Sequence, residues 1–225
     1  MLSRYLNYVF PAGNTQDVCL TQTLAGAGNL ALNGNLANSI HSQVSFIERG
    51  YSRNVSLTSA NDLSARQFTI TGTQNGVHIT ENIVGPNANT VYSVESYDVI
   101  QSILVDGAAA AVSIGTGHSG FVVVDVNLEK DVINCALSVS NPNATINTTL
   151  FGTYNDLSAT KRTYADLVSS DFTLFSINDE STDTYNASNS EGASVPIELY
   201  KSLLVLIVGT NATIAQTIQV IFRQT

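Results

Sequence analysis

The chain of 225 residues is 44% hydrophobic, enough for one large core or two of about 100 residues each. Only 12% of residues are charged and the net charge is −9, a balance that excludes an intrinsically disordered chain. No Lys/Arg cluster exceeds the pair Lys161 and Arg162, so a phosphate-tracking surface is excluded and direct nucleic-acid binding is not expected.

Polarity comes instead from Ser, Thr, Asn and Gln, with 15 Gly between them. That mixture suits half-wetted strands joined by Asn and Gly turns and is poor material for long helices. The two cysteines, Cys19 and Cys135, are far apart and fit neither a disulfide framework nor a zinc site, so both are expected as reduced, partly buried small hydrophobes. The longest apolar run, Leu203 to Val208, is far below the roughly 20 residues of a membrane span. The N-terminal run, with one Arg and an interrupting Asn7, does not have the pattern of a signal peptide. No membrane partner is expected.

In chain order, residues 1–14 read as an N-terminal arm. Leu24 to Asn38 offers one or two short strands. Asn54 to Ser59 alternates with Val55 and Leu57 on one face, and Arg66 to Thr73 alternates with Phe68 and Ile70 inward. The turn Gln74-Asn75-Gly76 carries the Asn-Gly pair that closes hairpins, and Val77 to Val84 returns with Val77, Ile79 and Ile83 in phase. Thr90 to Asp106 supplies one or two further strands, and Ala109 to Gly115 another.

Gly115, Gly117 and Gly120 then spell G-x-G-x-x-G after a strand-like run. A dinucleotide loop needs a helix directly after the third glycine, because the pyrophosphate sits on that helix N-terminus. Gly120 leads instead into the β-branched run Phe121 to Val126, which predicts a strand. The glycines are therefore expected to mark a flexible crossing between two β units, residues 15–115 and 116–225, and no cofactor is expected. Ile133 to Ser140 and Ala144 to Tyr154 read as further strands, Ser158 to Ser170 as weakly helical, and Ile177 to Ser194 as an exposed acidic loop. Leu203 to Thr225 reads as a long apolar hairpin around Gly209 to Thr213. The fold class predicted is mainly β: two antiparallel β-sandwich units, jelly-roll or Ig-like, joined by a Gly-rich crossing, with little helix.

No catalytic constellation emerges. His41, His78 and His118 match no ligand spacing, and His78 alternates onto the wet face of its strand. Asp179, Glu180, Asp183 and Glu191 are oxygen ligands of the kind Ca²⁺ takes, but their spacing is not that of an EF-hand, and a solvated loop is the plainer expectation. No catalytic, cofactor or metal residue is assigned, and the chain is not expected to be an enzyme.

The segment Ser52 to Asp106 resembles a module of virion structural proteins of tailed double-stranded DNA bacteriophages. The shared pattern is a strand ending in Thr58-Ser59-Ala60, the run Phe68 to Thr73, a hairpin, the strand with Thr80-Glu81, Gly85-Pro86-Asn87-Ala88, and an aromatic-led strand feeding a β-branched run. Gly26 to Gly34 fits the same pattern. The resemblance implies a non-enzymatic structural protein assembled in the host bacterial cytoplasm and located in the virion. A capsid decoration or cement protein stabilising the head is the leading expectation. A neck, collar or tail structural protein is the alternative, and a host glycan- or receptor-binding module the second alternative, with Tyr92, Tyr97, Tyr154, Tyr164 and Tyr185 as the scattered aromatic candidates. Expected partners are the major capsid protein or neighbouring tail and neck proteins, with self-association into a homo-oligomer, a trimer ahead of other sizes. The arm, carrying Tyr5, Tyr8 and Phe10, is the segment expected to clasp a neighbour.

Overall fold

The structure, a computed structural model, describes residues 3–10, 12–38, 40, 42–46, 51–125, 134–140, 145–153, 175–176, 184–186, 192–196, 202–209 and 216–223. All regular structure in them is extended, and no helix occurs among the described residues. The first strands are β1 (Ser3–Phe10), β2 (Cys19–Leu24), β3 (Gly28–Asn29), β4 (Ala37–Asn38), β5 (Gln43–Ser45), β6 (Ser52–Ser59), β7 (Gln67–Gln74), β8 (Val77–Val84) and β9 (Thr90–Tyr97). After them come β10 (Val99–Val105), β11 (Ala109–Asp125), β12 (Asn134–Ser140), β13 (Thr145–Thr153), β14 (Phe175–Ser176), β15 (Thr184–Asn186), β16 (Gly192–Pro196), β17 (Ser202–Gly209) and β18 (Gln216–Arg223). The chain divides into two compact units. One comprises Gly13–Glu48 and Ser52–Gly117; the other comprises Met1–Ala12, Arg49–Tyr51 and His118–Thr225.

The first unit is an antiparallel sandwich. One sheet runs β4-β5-β10-β7-β8, with β3 also on β10; the other sets β2 and β6 against β11, with β9 beyond β6. Their inner faces meet through Val55 and Leu57 of β6, Phe68 and Ile70 of β7, Ile100 and Ile103 of β10, and Val112 and Ile114 of β11, all fully buried. Burial of each such side chain stabilises the fold by roughly 1.5–3 kcal/mol. The period-2 alternation selects these residues, because it sends every second side chain to the same face. Gln74 and Val77 close the β7–β8 hairpin around Asn75 (φ 49°) and Gly76 (φ 73°). Both turn residues are left-handed, as a two-residue turn matching the strand twist requires.

The glycines of the G-x-G-x-x-G stretch lie inside β11, and the strand continues past Gly120 to Asp125. For the first two the reason is steric. A Cβ on Gly115 would collide with the Asn14 carbonyl, and one on Gly117 with the Asn54 side-chain amide. The stretch is a regular strand that other chain segments approach closely, not a flexible crossing, and the two compact units divide between Gly117 and His118.

The second unit holds two sheets. One has the order β1-β18-β12-β16; in the other, β17 lies between β13 and the last residues of β11, with β14 and β15 also on β13. Three expectations change here. The first residues are not an arm: Ser3–Phe10 pair along their whole length with Gln216–Arg223 of the same chain, because a run carrying two Tyr, a Val and a Phe is good strand material. The apolar C-terminal segments are not a hairpin either. β17 and β18 join different sheets and each has a neighbour on both sides, which suits runs apolar on both faces better than pairing with each other at an edge. Finally, the acidic segment is not loop throughout, since Thr184–Asn186 pairs with Thr145–Asn147 and Gly192–Pro196 pairs with β12. Backbone ladders form there with few large apolar side chains. The weakly helical reading of 158–170 lies outside the described residues.

Candidate functional site

Charged, aromatic and apolar groups converge in the first unit where β8 ends one sheet and β9 ends the other. The sequence of β9 breaks its own alternation: Tyr92 and Val94 are spaced by two, but Tyr97 follows Val94 by three. The ladder breaks at the same place. Pairing with β6 runs Arg53↔Tyr97 and Asn54↔Ser96, then resumes at Ser56↔Tyr92. Ser93, Val94 and Glu95 therefore stand opposite Val55 alone, as a three-residue bulge.

A bulge strips backbone groups of their ladder partners, and buried ones must be paired elsewhere. Val55 N donates to Ser93 Oγ at 2.7 Å, and Ser93 Oγ donates to the Glu95 carbonyl at 2.8 Å. Glu81, reaching from β8, accepts the Val94 N–H at 2.8 Å and the Glu95 N–H at 3.2 Å. The same carboxylate accepts the Tyr97 hydroxyl at 3.1 Å. Gln74 Nε2 donates to the Ser96 carbonyl at 2.7 Å and to Glu95 Oε2 at 3.2 Å. Tyr97 is fully buried, and a Cβ on Gly72 would come within 2.9 Å of its ring. Its hydroxyl is held well above the usual phenol range, first by burial and then by the charge and hydrogen bond of Glu81 and the charge of Glu95. Tyr97 is thus a donor, not a base. Both Glu81 oxygens are committed to neighbours, so Glu81 braces the bulge.

The brace holds Val94 outward with 90% of its surface exposed, next to Tyr92 at 45%. The tip of the β7–β8 hairpin is pinned from the β9–β10 junction. Asp98 accepts the Ser52 hydroxyl on one oxygen and the Gly76 N–H at 2.9 Å on the other. Burial raises the Asp98 carboxyl above the ordinary carboxylate value, against the opposing pull of Ser52, Gly76 and Asn75.

The residues singled out from sequence are not brought together. His78 is exposed on β8, His118 is half-buried on β11, and His41 lies outside the described residues. Cys19 is free and buried, and burial pushes its thiol up to about 12, so it stays protonated and unreactive at neutral pH. Cys135 falls in β12. Asp179, Glu180, Asp183 and Glu191 lie outside the described residues, as do Tyr154 and Tyr164, while Tyr185 falls in β15. Among the described residues, no group of three or more His, Cys, Asp or Glu is placed to hold a metal ion. Sequence reasoning missed the Glu81 brace. Its one signal was the broken alternation in β9, and nothing local to Glu81 pointed to a partner in another strand.

No family model and no curated protein matches the chain. Among solved structures, the N-terminal CBM22-1-CBM22-2 tandem domain from Paenibacillus barcinonensis Xyn10C aligns over 97% of this chain and 97% of that one, at 12% identity and a TM-score of 0.25. The stem and receptor binding domain of the spike protein P1 from bacteriophage PM2 aligns over 100% of this chain and 82% of that one, at 12% identity and a TM-score of 0.15. The structure of infectious bursal disease virus Gt strain aligns over 99% of this chain and 72% of that one, at 11% identity and a TM-score of 0.19. Scores of this size carry no function over to this chain, which stands described by its own architecture: an all-β protein of antiparallel sheets.

Proposed function

We propose that this chain is a non-enzymatic structural component of a tailed-phage virion, a capsid decoration or cement protein that stabilises the head. The observation that supports it most is that the residues resembling phage virion proteins, Ser52 to Asp106, are not scattered. They are β6 to β10, the consecutive strands that supply most of the first sandwich core and its braced edge. A resemblance that spans five consecutive strands is more specific than one of short motifs. The chemistry agrees: the Glu81 carboxylate of the braced edge is spent on two backbone N–H groups and the Tyr97 hydroxyl, leaving a rigid body with apolar projections suited to docking. The partners on this reading are the major capsid protein and further copies of the chain.

Gold-labelled antibody against this protein, imaged on intact virions by electron microscopy, is expected to decorate the head. Label confined to the tail or neck would replace decoration with a neck, collar or tail role. Virions carrying no label would overturn the virion reading altogether.

A further inference from the structure

The register of the β7–β8 hairpin fixes which backbone groups of β8 face outward. Gln74 and Val77 close the two-residue turn as a hydrogen-bonded pair, and the Gly85 N–H donates to the Arg66 carbonyl at 2.9 Å at the far end. Alternation between these limits turns the N–H and C=O groups of Val77, Ile79, Glu81 and Ile83 toward β7. Those of His78, Thr80, Asn82 and Val84 point away from the sheet, and they have no backbone partner among the described residues. The side chains of these four residues are exposed, Val84 to 61%. The edge is unbulged over Val77–Val84 and has no Lys or Pro, the devices that normally keep an edge from pairing.

We propose that β8 pairs antiparallel with β8 of a second copy, about a two-fold axis through Thr80, to form a homodimer. The other edges of the sandwich point to that occupant. β9 is interrupted by its bulge, β2 follows β11 through two register shifts, and β3 and β4 are two residues long each. Among the described edges of this unit, β8 is the one with length and regularity enough for another copy to use. An antiparallel edge is self-complementary, so the contact closes as a two-fold. Charge permits it, since Glu81 is the single charged residue in Val77–Val84 of a chain at −9.

The same residues set the register. Centring on Glu81 would set two carboxylates face to face, which is destabilising. Centring on Asn82 would overlap only Thr80–Val84. Centring on Thr80 pairs Val77–Ile83, sets Thr80 against its own copy, His78 against Asn82 and Val77 against Ile83, and leaves each Glu81 opposite Ile79. This inference rests on the strand register and not on the virion reading.

Thr80→Pro removes an outward N–H in each copy without touching the β7–β8 ladder, and Thr80→Lys places like charges across the axis while keeping the backbone. In sedimentation velocity over a concentration series, the full-length wild type is expected to be a concentration-dependent dimer, with association weakened about tenfold or more in either variant. Gln101→Lys, at an exposed position on β10 with β7 between it and β8, is expected to leave association unchanged, and circular dichroism verifies that each variant is folded. A wild type monomeric at every concentration would overturn the proposal, as would a trimer, or a dimer indifferent to folded Thr80→Lys.

Discussion

β8 and β9 end the two sheets of the same sandwich and are finished in opposite ways. β9 carries a bulge of Ser93, Val94 and Glu95 whose backbone donors are absorbed by Glu81. β8 keeps an unbroken ladder with β7 and an outward row of backbone groups. The carboxylate that quiets β9 is supplied by β8 itself, because inward-pointing residues of an edge strand lie beside the edge of the facing sheet. One residue therefore closes one edge without altering the backbone of the other. The lesson is that exposure of an edge is set by register and cross-sheet bracing, not by apolar content: β9 has the more exposed valine, and β8 the more available backbone.

Glu81→Ala is the largest blow to this contrast. It strips the acceptor from two backbone N–H groups and from the Tyr97 hydroxyl, and a loss of about 3 kcal/mol is expected in urea unfolding. Retained stability would show that the bulge holds without its brace. On the β8 side, Asp98→Ala unpins the hairpin tip by removing the acceptor of Ser52 and Gly76. It should cost about 2 kcal/mol at neutral pH, with faster amide exchange at Gly76. Asp98→Asn keeps an acceptor and separates pairing from charge. The folded carboxyl is raised by burial, so the folded state holds its proton above the unfolded pKa of about 4. Native stability then declines as pH rises from there through the raised pKa, and Asp98→Asn should flatten that decline.

Tyr97→Phe removes one hydrogen bond to Glu81 and should cost about 1 kcal/mol at pH 7. The native phenol is raised by burial and by Glu81, so its contribution is complete below the unfolded pKa of about 10 and is lost as pH rises beyond it. The variant is expected to lose that alkaline slope in a denaturation series across about pH 9–11. The smallest effect belongs to Val94→Ser. At 90% exposure the side chain adds little to folding, and the change should stay within about 0.5 kcal/mol. A larger shift in melting would place Val94 against a neighbour within the chain.

Much of the first sandwich was legible in the sequence, for a local reason. Val55, Leu57, Phe68 and Ile70 alternate cleanly and are buried as the alternation requires, and Asn75-Gly76 occupies the left-handed turn that its composition favours. The brace was not legible, because it joins Glu81 to Val94 across two sheets and depends on a ladder slip. The glycines of β11 read as a flexible crossing yet lie within one strand, because what Gly115 and Gly117 answer is a close approach by Asn14 and Asn54, residues distant in sequence. The C-terminal pair shows the same limit: apolar content marks β17 and β18 as strands without saying that they separate into different sheets.

The sequence by itself determined that this chain is built of strands, where most of them lie, which faces of the first unit are apolar and how its central hairpin turns. These features come from side-chain periodicity and from the φ preferences of a few residues, both local properties. Tertiary structure alone decided which strands pair, that the first residues join the second unit, and which edge is braced and which is open. Pairing is a competition among backbones that all offer the same N–H and C=O groups, and it is settled by packing and register between segments far apart in the chain.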